Sequence, residues 1–269
     1  MNRLVSQFGA CLRGLARGAT DLLFPPQCIF CAGGGEEGSR WEAIGSSWVC
    51  PKCIKENELA LAEPACPTCA APAELTEIRD ASCPSCRKQG SLLAGAVRLG
   101  LYQSSVGNHL RALKYQGREE LAQPMALQLA RSLHRVPWLV RVEVVTAVPS
   151  HWTRRIARPV RILDLITREV AEAVDRPLLP LLRRVRGGPH QVGLSYPQRV
   201  LNVRGAFALR NGVELRDARV LIVDDVMTTG ATVEECARVL RRGGAAEVFA
   251  AVIARVDFDP ETGRMHSGV

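Results

Sequence analysis

Eight of the ten cysteines in this 269-residue chain stand in four Cys-x-x-Cys pairs: Cys28/Cys31, Cys50/Cys53, Cys66/Cys69 and Cys83/Cys86. Two thiolates separated by two residues sit on one tight turn and grip the same tetrahedral ion, and a second such pair closes a site of four sulfurs. The intervals of 18 residues between the first two pairs and 13 between the last two match zinc-ribbon spacing. Pro51, Pro67 and Pro84 follow Cys50, Cys66 and Cys83, as knuckle turns favour. The expectation is two structural Zn2+ sites, one per set of four, closed to substrate and therefore without a catalytic role. An iron–sulfur cluster or thioredoxin-like redox pairs account less well for four ordered pairs. A redox Cys-x-x-Cys follows a strand of a βαβ unit, whereas residues 27–91 are rich in glycine and proline and poor in long apolar runs. Such a segment builds little core unaided, so metal must supply its folding energy. Cys11 and Cys236 stand alone and read as small buried hydrophobes.

Thiolate sites of this kind suit a reducing compartment. Leu4, Val5, Phe8, Leu12, Leu15, Ala19, Leu22 and Leu23 recur at helical spacing until Pro25-Pro26, which predicts an amphipathic packing or docking helix. Arg13 and Arg17 interrupt the apolar stretch that a signal peptide would need. The longest apolar runs, such as Val248–Ala254, fall far short of the ~20 residues of a membrane span. These features point to a cytoplasmic chain. A composition that is 47% hydrophobic and 23% charged excludes a wholly disordered or collagen-like molecule.

From Leu92 onward β-branched apolar runs alternate with longer helical patterns, the mark of βαβ units around a mainly parallel sheet. Strands are expected at Gly95–Tyr102, Glu143–Ala147, Arg219–Val223 and Val248–Ala254, and helices at Glu119–His134, Val160–Val174 and Thr232–Gly243. The organisation is then a helix over 1–26, a double zinc ribbon over 27–91, an α/β domain over 92–256 and a polar tail over 257–269. Charge follows the same division. Residues 1–92 carry 9 basic and 10 acidic side chains, and residues 93–269 carry 26 and 17, a net of +9. Arg154–Arg204 holds 11 arginines against 4 acids, a bias that suits a polyanionic ligand or else a solvated basic face.

The segment Val220-Leu221-Ile222-Val223-Asp224-Asp225-Val226-Met227-Thr228-Thr229-Gly230-Ala231-Thr232 carries the most chemistry. Four apolar residues predict a buried strand with two carboxylates at its carboxyl end, where open α/β sheets bind ligands. A short loop then opens a helix. Its backbone N–H groups, the hydroxyls of Thr228, Thr229 and Thr232 and the helix N-terminus together form an anion cradle, with Gly230 allowing close backbone approach. Val226, Met227 and Ala231 complete it. Paired aspartates beside a phosphate site make sense where they accept hydrogen bonds from sugar hydroxyls while Mg2+ offsets their charge. Phosphoribosyl pyrophosphate meets all of these requirements, and the absence of Gly-x-x-x-x-Gly-Lys-Ser/Thr argues against a P-loop.

This segment resembles the binding motif of type I phosphoribosyltransferases. The cysteine pairs, Leu110–Gly117, Val148-Pro149-Ser150-His151-Trp152, Gln191–Ser195 and Asn202–Phe207 together resemble the ComF family over roughly residues 20–255. The resemblance implies a Rossmann-like type I phosphoribosyltransferase domain behind a small N-terminal double zinc ribbon, with a role in bacterial competence and DNA uptake. It implies Asp224 and Asp225 as the catalytic diad and Val148–Arg155 as the pyrophosphate loop, with Arg154 and Arg155 on phosphates. Arg183–Arg204 falls where a mobile loop closes over the site. Many relatives read Arg-Gly-Phe-Asn-Gln where this chain reads Arg158-Pro159-Val160-Arg161-Ile162. His151 and His190 read as hydrogen-bonding loop residues and Trp152 as a packing residue. Lys114 either reaches a phosphate or is solvated.

Two functions compete at this point. One is Mg2+-dependent transfer of phosphoribose, with the pyrophosphate leaving group held by Mg2+, Arg154 and Arg155. The other is a non-catalytic protein on a retired phosphoribosyltransferase fold that binds single-stranded DNA or, through its zinc ribbons, competence proteins. An aromatic content of 5% supplies few stacking platforms for a DNA strand.

Overall fold

A computed structural model describes residues 27–33, 41–149, 162–186 and 201–257. The chain divides into two compact units, Met1–Lys55 and Glu56–Val269. The helix predicted over 1–26 and the tail beyond Asp257 lie outside the described residues.

In the first unit, Gly45 takes the left-handed conformation (φ +61°) between β1 (Glu42–Ile44) and β2 (Ser47–Val49), an antiparallel hairpin. Ile44 and Val49 are buried with Cys28 and Phe30. Helix α1 (Pro51–Ala62) starts from Pro51, whose missing N–H costs nothing in a first helical turn. The boundary between the units falls inside it.

The second unit contains α2 (Pro84–Gln89), β3 (Gly95–Leu101), α3 (Ser105–Tyr115), α4 (Ala122–Leu133), β4 (Val144–Ala147), α5 (Ile162–Ala173), β5 (Leu182–Arg184), β6 (Phe207–Leu209), β7 (Arg219–Met227), α6 (Ala231–Arg242) and β8 (Glu247–Arg255). β3, β8, β7 and β4 form one sheet in that order, every neighbouring pair parallel. β5 and β6 pair separately as an antiparallel ribbon. Both faces of the parallel sheet are covered, so its strands read as continuous apolar runs rather than as alternations. Val220, Ile222, Val248, Ala250 and Val252 pack on one face with Val233, Cys236, Ala237 and Leu240 of α6. The alternate residues Leu221, Val223, Phe249 and Ala251 are equally buried on the face that α3, α4 and α5 cover.

The expected strands and the three expected helices are present within a few residues. Three differences matter. β7 does not stop at Val223 but runs through both aspartates to Met227, because Asp224 and Val226 continue the ladder against Val252 and Ala254. The helix expected from Glu119 begins with a 3-10 turn over Glu119–Leu121 before α4. α3 was not anticipated. It is started by Ser104, whose side-chain oxygen accepts the N–H of Val106, and held by Val106, Leu110 and Leu113 on one buried stripe.

Candidate functional site

Each cysteine set draws four sulfurs to within 4.8 Å of one another, Cys28, Cys31, Cys50 and Cys53 in one set and Cys66, Cys69, Cys83 and Cys86 in the other. Cys31 and Cys50 lie 3.8 Å apart, Cys66 and Cys86 4.0 Å, and Cys69 and Cys83 3.9 Å. A tetrahedron with Zn–S bonds of ~2.3 Å has edges of about 3.8 Å, so both sets fit a zinc ion. The knuckle backbones favour thiolate, since the N–H of Cys50 donates to Cys28 Sγ (3.4 Å) and that of Cys83 to Cys66 Sγ (3.2 Å). Cys236 matches its expected role. It is fully buried in α6, where burial and the charge of Asp224 push its thiol up.

The second candidate site lies at the carboxyl end of β7. Asp224 is buried, and its Oδ1 accepts the N–H of Asp225 at 2.8 Å. Asp225 is half-buried and meets Lys114 Nζ of α3 at 2.7 Å. Lys114 is therefore largely buried and paired, and it offsets one charge of the two aspartates. Beyond Met227 the chain turns through Thr228 and Thr229 to Gly230, which caps α6 in the left-handed conformation at φ +82°. Thr229 Oγ1 accepts the Ala231 N–H at 3.3 Å. Residues 228–232 are only partly covered, which leaves the start of a 12-residue helix open to an anion.

Neighbouring segments converge here. The N–H of Val148 donates to the carbonyl of Val223 (3.0 Å), so the segment expected to hold pyrophosphate leaves the sheet beside Asp224. Arg154, Arg155, His151 and Trp152 lie outside the described residues, as does His190. Of Arg183–Arg204, the ends form β5 and the approach to β6, and the Gly205 N–H is held by Glu235 of α6 at 2.8 Å.

Two further residues escaped the sequence reading. Arg255, at the end of β8, is buried and donates to the carbonyls of Met227 (2.9 Å) and Thr228 where β7 runs into the loop before α6. Glu234, in the first turn of α6, accepts the Ser91 hydroxyl and the Leu92 N–H (3.0 Å). The available signal was an arginine closing an otherwise apolar strand, since buried charge is rare without a purpose.

Comparison with known proteins adds to this geometry. The family described as phosphoribosyl transferase domain matches residues 165–267, and the double zinc ribbon domain matches residues 19–87. The chain is similar to "Competence protein F" of Haemophilus influenzae, 29% identical over 234 residues, covering 85% of this chain and 96% of that protein. It is similar to "DNA utilization protein YhgH" of Escherichia coli K12, 29% identical over 213 residues, covering 77% of this chain and 89% of that one. A shorter stretch of 68 residues is 40% identical to adenine phosphoribosyltransferase of Nocardia farcinica, covering 25% of this chain and 33% of the enzyme. Among the described residues no helix is long and apolar enough to cross a membrane.

Proposed function

Because the chain belongs to the ComF family, which joins a double zinc ribbon to a phosphoribosyltransferase domain, we propose that it binds phosphoribosyl pyrophosphate with Mg2+ and acts in DNA uptake or utilisation in the cytoplasm. The observation that carries this reading is the run from Asp224 to Ala231: two carboxylates on a sheet's carboxyl end, a glycine-capped loop, and the open N-terminus of α6. The loop amides and the hydroxyls of Thr228, Thr229 and Thr232 receive the 5′-phosphate. Asp224 and Asp225 accept the ribose hydroxyls and stabilise positive charge developing on the sugar ring. Lys114 keeps the diad from repelling a polyanion, and Arg154 and Arg155 supply positive charge to the pyrophosphate. Bound Mg2+ offsets charge on the pyrophosphate and the diad. The two zinc sites are structural and carry docking to competence proteins. The names of the two long relatives support the role in DNA handling.

Calorimetric titration of the zinc-loaded protein with phosphoribosyl pyrophosphate and Mg2+ tests the reading. Saturable binding is expected in the wild type, with loss of at least tenfold in affinity in Asp224→Asn/Asp225→Asn, about the effect of removing charge-assisted hydrogen bonds. A folded wild type that takes up no ligand would overturn it, leaving single-stranded DNA, recognisable by a steep salt dependence, as the ligand to test.

A further inference from the structure

We propose that Arg255 is a positioning residue tying the phosphate loop to the second zinc knuckle, so that filling the Cys66/Cys69/Cys83/Cys86 site fixes the shape of residues 227–231. One guanidinium reaches both. Its Nε donates to the carbonyl of Cys69 at 3.2 Å, and its Nη1 donates to the carbonyls of Met227, Thr228 and Val256. Among the described residues no carboxylate lies within ion-pair distance of it, yet it is buried. A buried cation without an opposing charge is costly. Four thiolates around one divalent ion carry a net charge of about −2, and the guanidinium reaches this knuckle through the carbonyl of Cys69. The filled knuckle is thus the counter-ion of the residue that holds the loop.

The knuckle is itself anchored to the sheet, so the tie does not slacken. Arg98 of β3 donates from Nη1 to the carbonyl of Ala70 (2.6 Å) and pairs through Nη2 with Glu63 (3.4 Å). The N–H of Ala96 donates to the carbonyl of Pro67 (2.8 Å). Consecutive carbonyls of the knuckle, Cys69 and Ala70, are therefore gripped by arginines on the adjacent strands β8 and β3. On the far side of the loop, Glu234 holds Ser91 and Leu92, the link between the fourth cysteine pair and β3. The loop is thus tied to the knuckle at Met227–Thr228, and the helix that follows it is tied to the link behind the fourth cysteine pair.

The consequence for ligand binding rests on the reading of the loop as a phosphate site; the mechanical tie does not. The test is amide hydrogen exchange on the full zinc-loaded chain, followed in peptides covering residues 225–233. Cys86→Ser, which empties the second site, raises exchange in this stretch roughly tenfold or more, the effect of losing one hydrogen bond to a charged group, while peptides from α4 keep their wild-type rates. Arg255→Met gives the same increase with two zinc ions still bound, and Arg255→Lys restores part of the protection. Unchanged loop exchange after loss of the second zinc overturns the proposal, as does wild-type protection in Arg255→Met. If Arg255→Met does not fold, stepwise chelation of the wild type decides the question alone. Where the wild type binds phosphoribosyl pyrophosphate, the ligand tightens equilibrium binding of the second zinc by the same factor by which that zinc tightens the ligand. A wild type that binds none sinks the phosphate reading, and the exchange comparison still decides the tie.

Discussion

Lys114 and Asp225 meet across a distance in sequence that no spacing rule bridges. Residues 110–117 announced a functional segment, but the partner of Lys114 became visible only when α3 crossed the end of β7. Lys114→Met leaves the two carboxylates uncompensated at the carboxyl end of β7. On the proposed reading, affinity for phosphoribosyl pyrophosphate should fall about fivefold, a half-buried pair being worth on the order of 1 kcal/mol, and titration at several Mg2+ concentrations should show a steeper metal requirement. His109, on the same helix, is a second case. Burial, aided by the charge of Arg118, lowers its pKa from 6.5 to about 4. The unfolded chain protonates this ring near 6.5 and the folded chain resists until about 4, so stability is full above that window and falls as pH drops through it. After allowance for partial exposure the loss is of order 1 kcal/mol. Urea unfolding at pH 7 and pH 5 should show it, and His109→Gln should remove most of the difference.

Two glycines show how differently an element can depend on one missing side chain. A Cβ on Gly107 in α3 would lie 1.8 Å from the carbonyl oxygen of Tyr102. Gly107→Ala must push the helix off the loop before it and should cost about 2–3 kcal/mol. Gly230 is different: nothing is closer to its Cβ direction than Met227 Sδ at 3.9 Å. Gly230→Ala should therefore cost only the left-handed strain, about 1–2 kcal/mol. Thermal unfolding of both variants checks the order. Elements with a strong period were legible: the apolar strands and α6, with Gly243-Gly244 behind it, were found nearly to the residue. The end of β7 was not, because aspartate reads as a strand breaker and only pairing with β8 overrides that preference. The ribbon of β5 and β6 was not either; three-residue strands flanked by arginines carry no period to detect.

For the molecule as a whole, the cysteine arithmetic was the most informative reading. It stated both metal sets in full, since four ligands at fixed spacing leave few alternatives. Metal analysis should return two zinc ions per chain, with Cys28→Ser and Cys86→Ser each lowering the count to one. What one sequence does not carry is the order of strands and what lies against them. That β8 occupies the middle, that the second knuckle covers the edge of β3, and that Arg255 joins knuckle to loop all follow from long-range packing.

The central place of β8 also bears on how the protein is made. β8 pairs with its neighbour in sequence, β7, on one side and with β3 on the other, so about half of the chain separates β3 from the strand beside it. Such topologies fold slowly, because the loop must close before any pairing rewards it. During synthesis the cysteine pairs and β3 leave the ribosome long before the strand that completes the sheet. Until then β3 and β7 expose apolar edges to the crowded cell. Early capture of zinc would give the nascent chain its first fixed structure, and the yield of folded protein should depend on metal supply while translation is still under way.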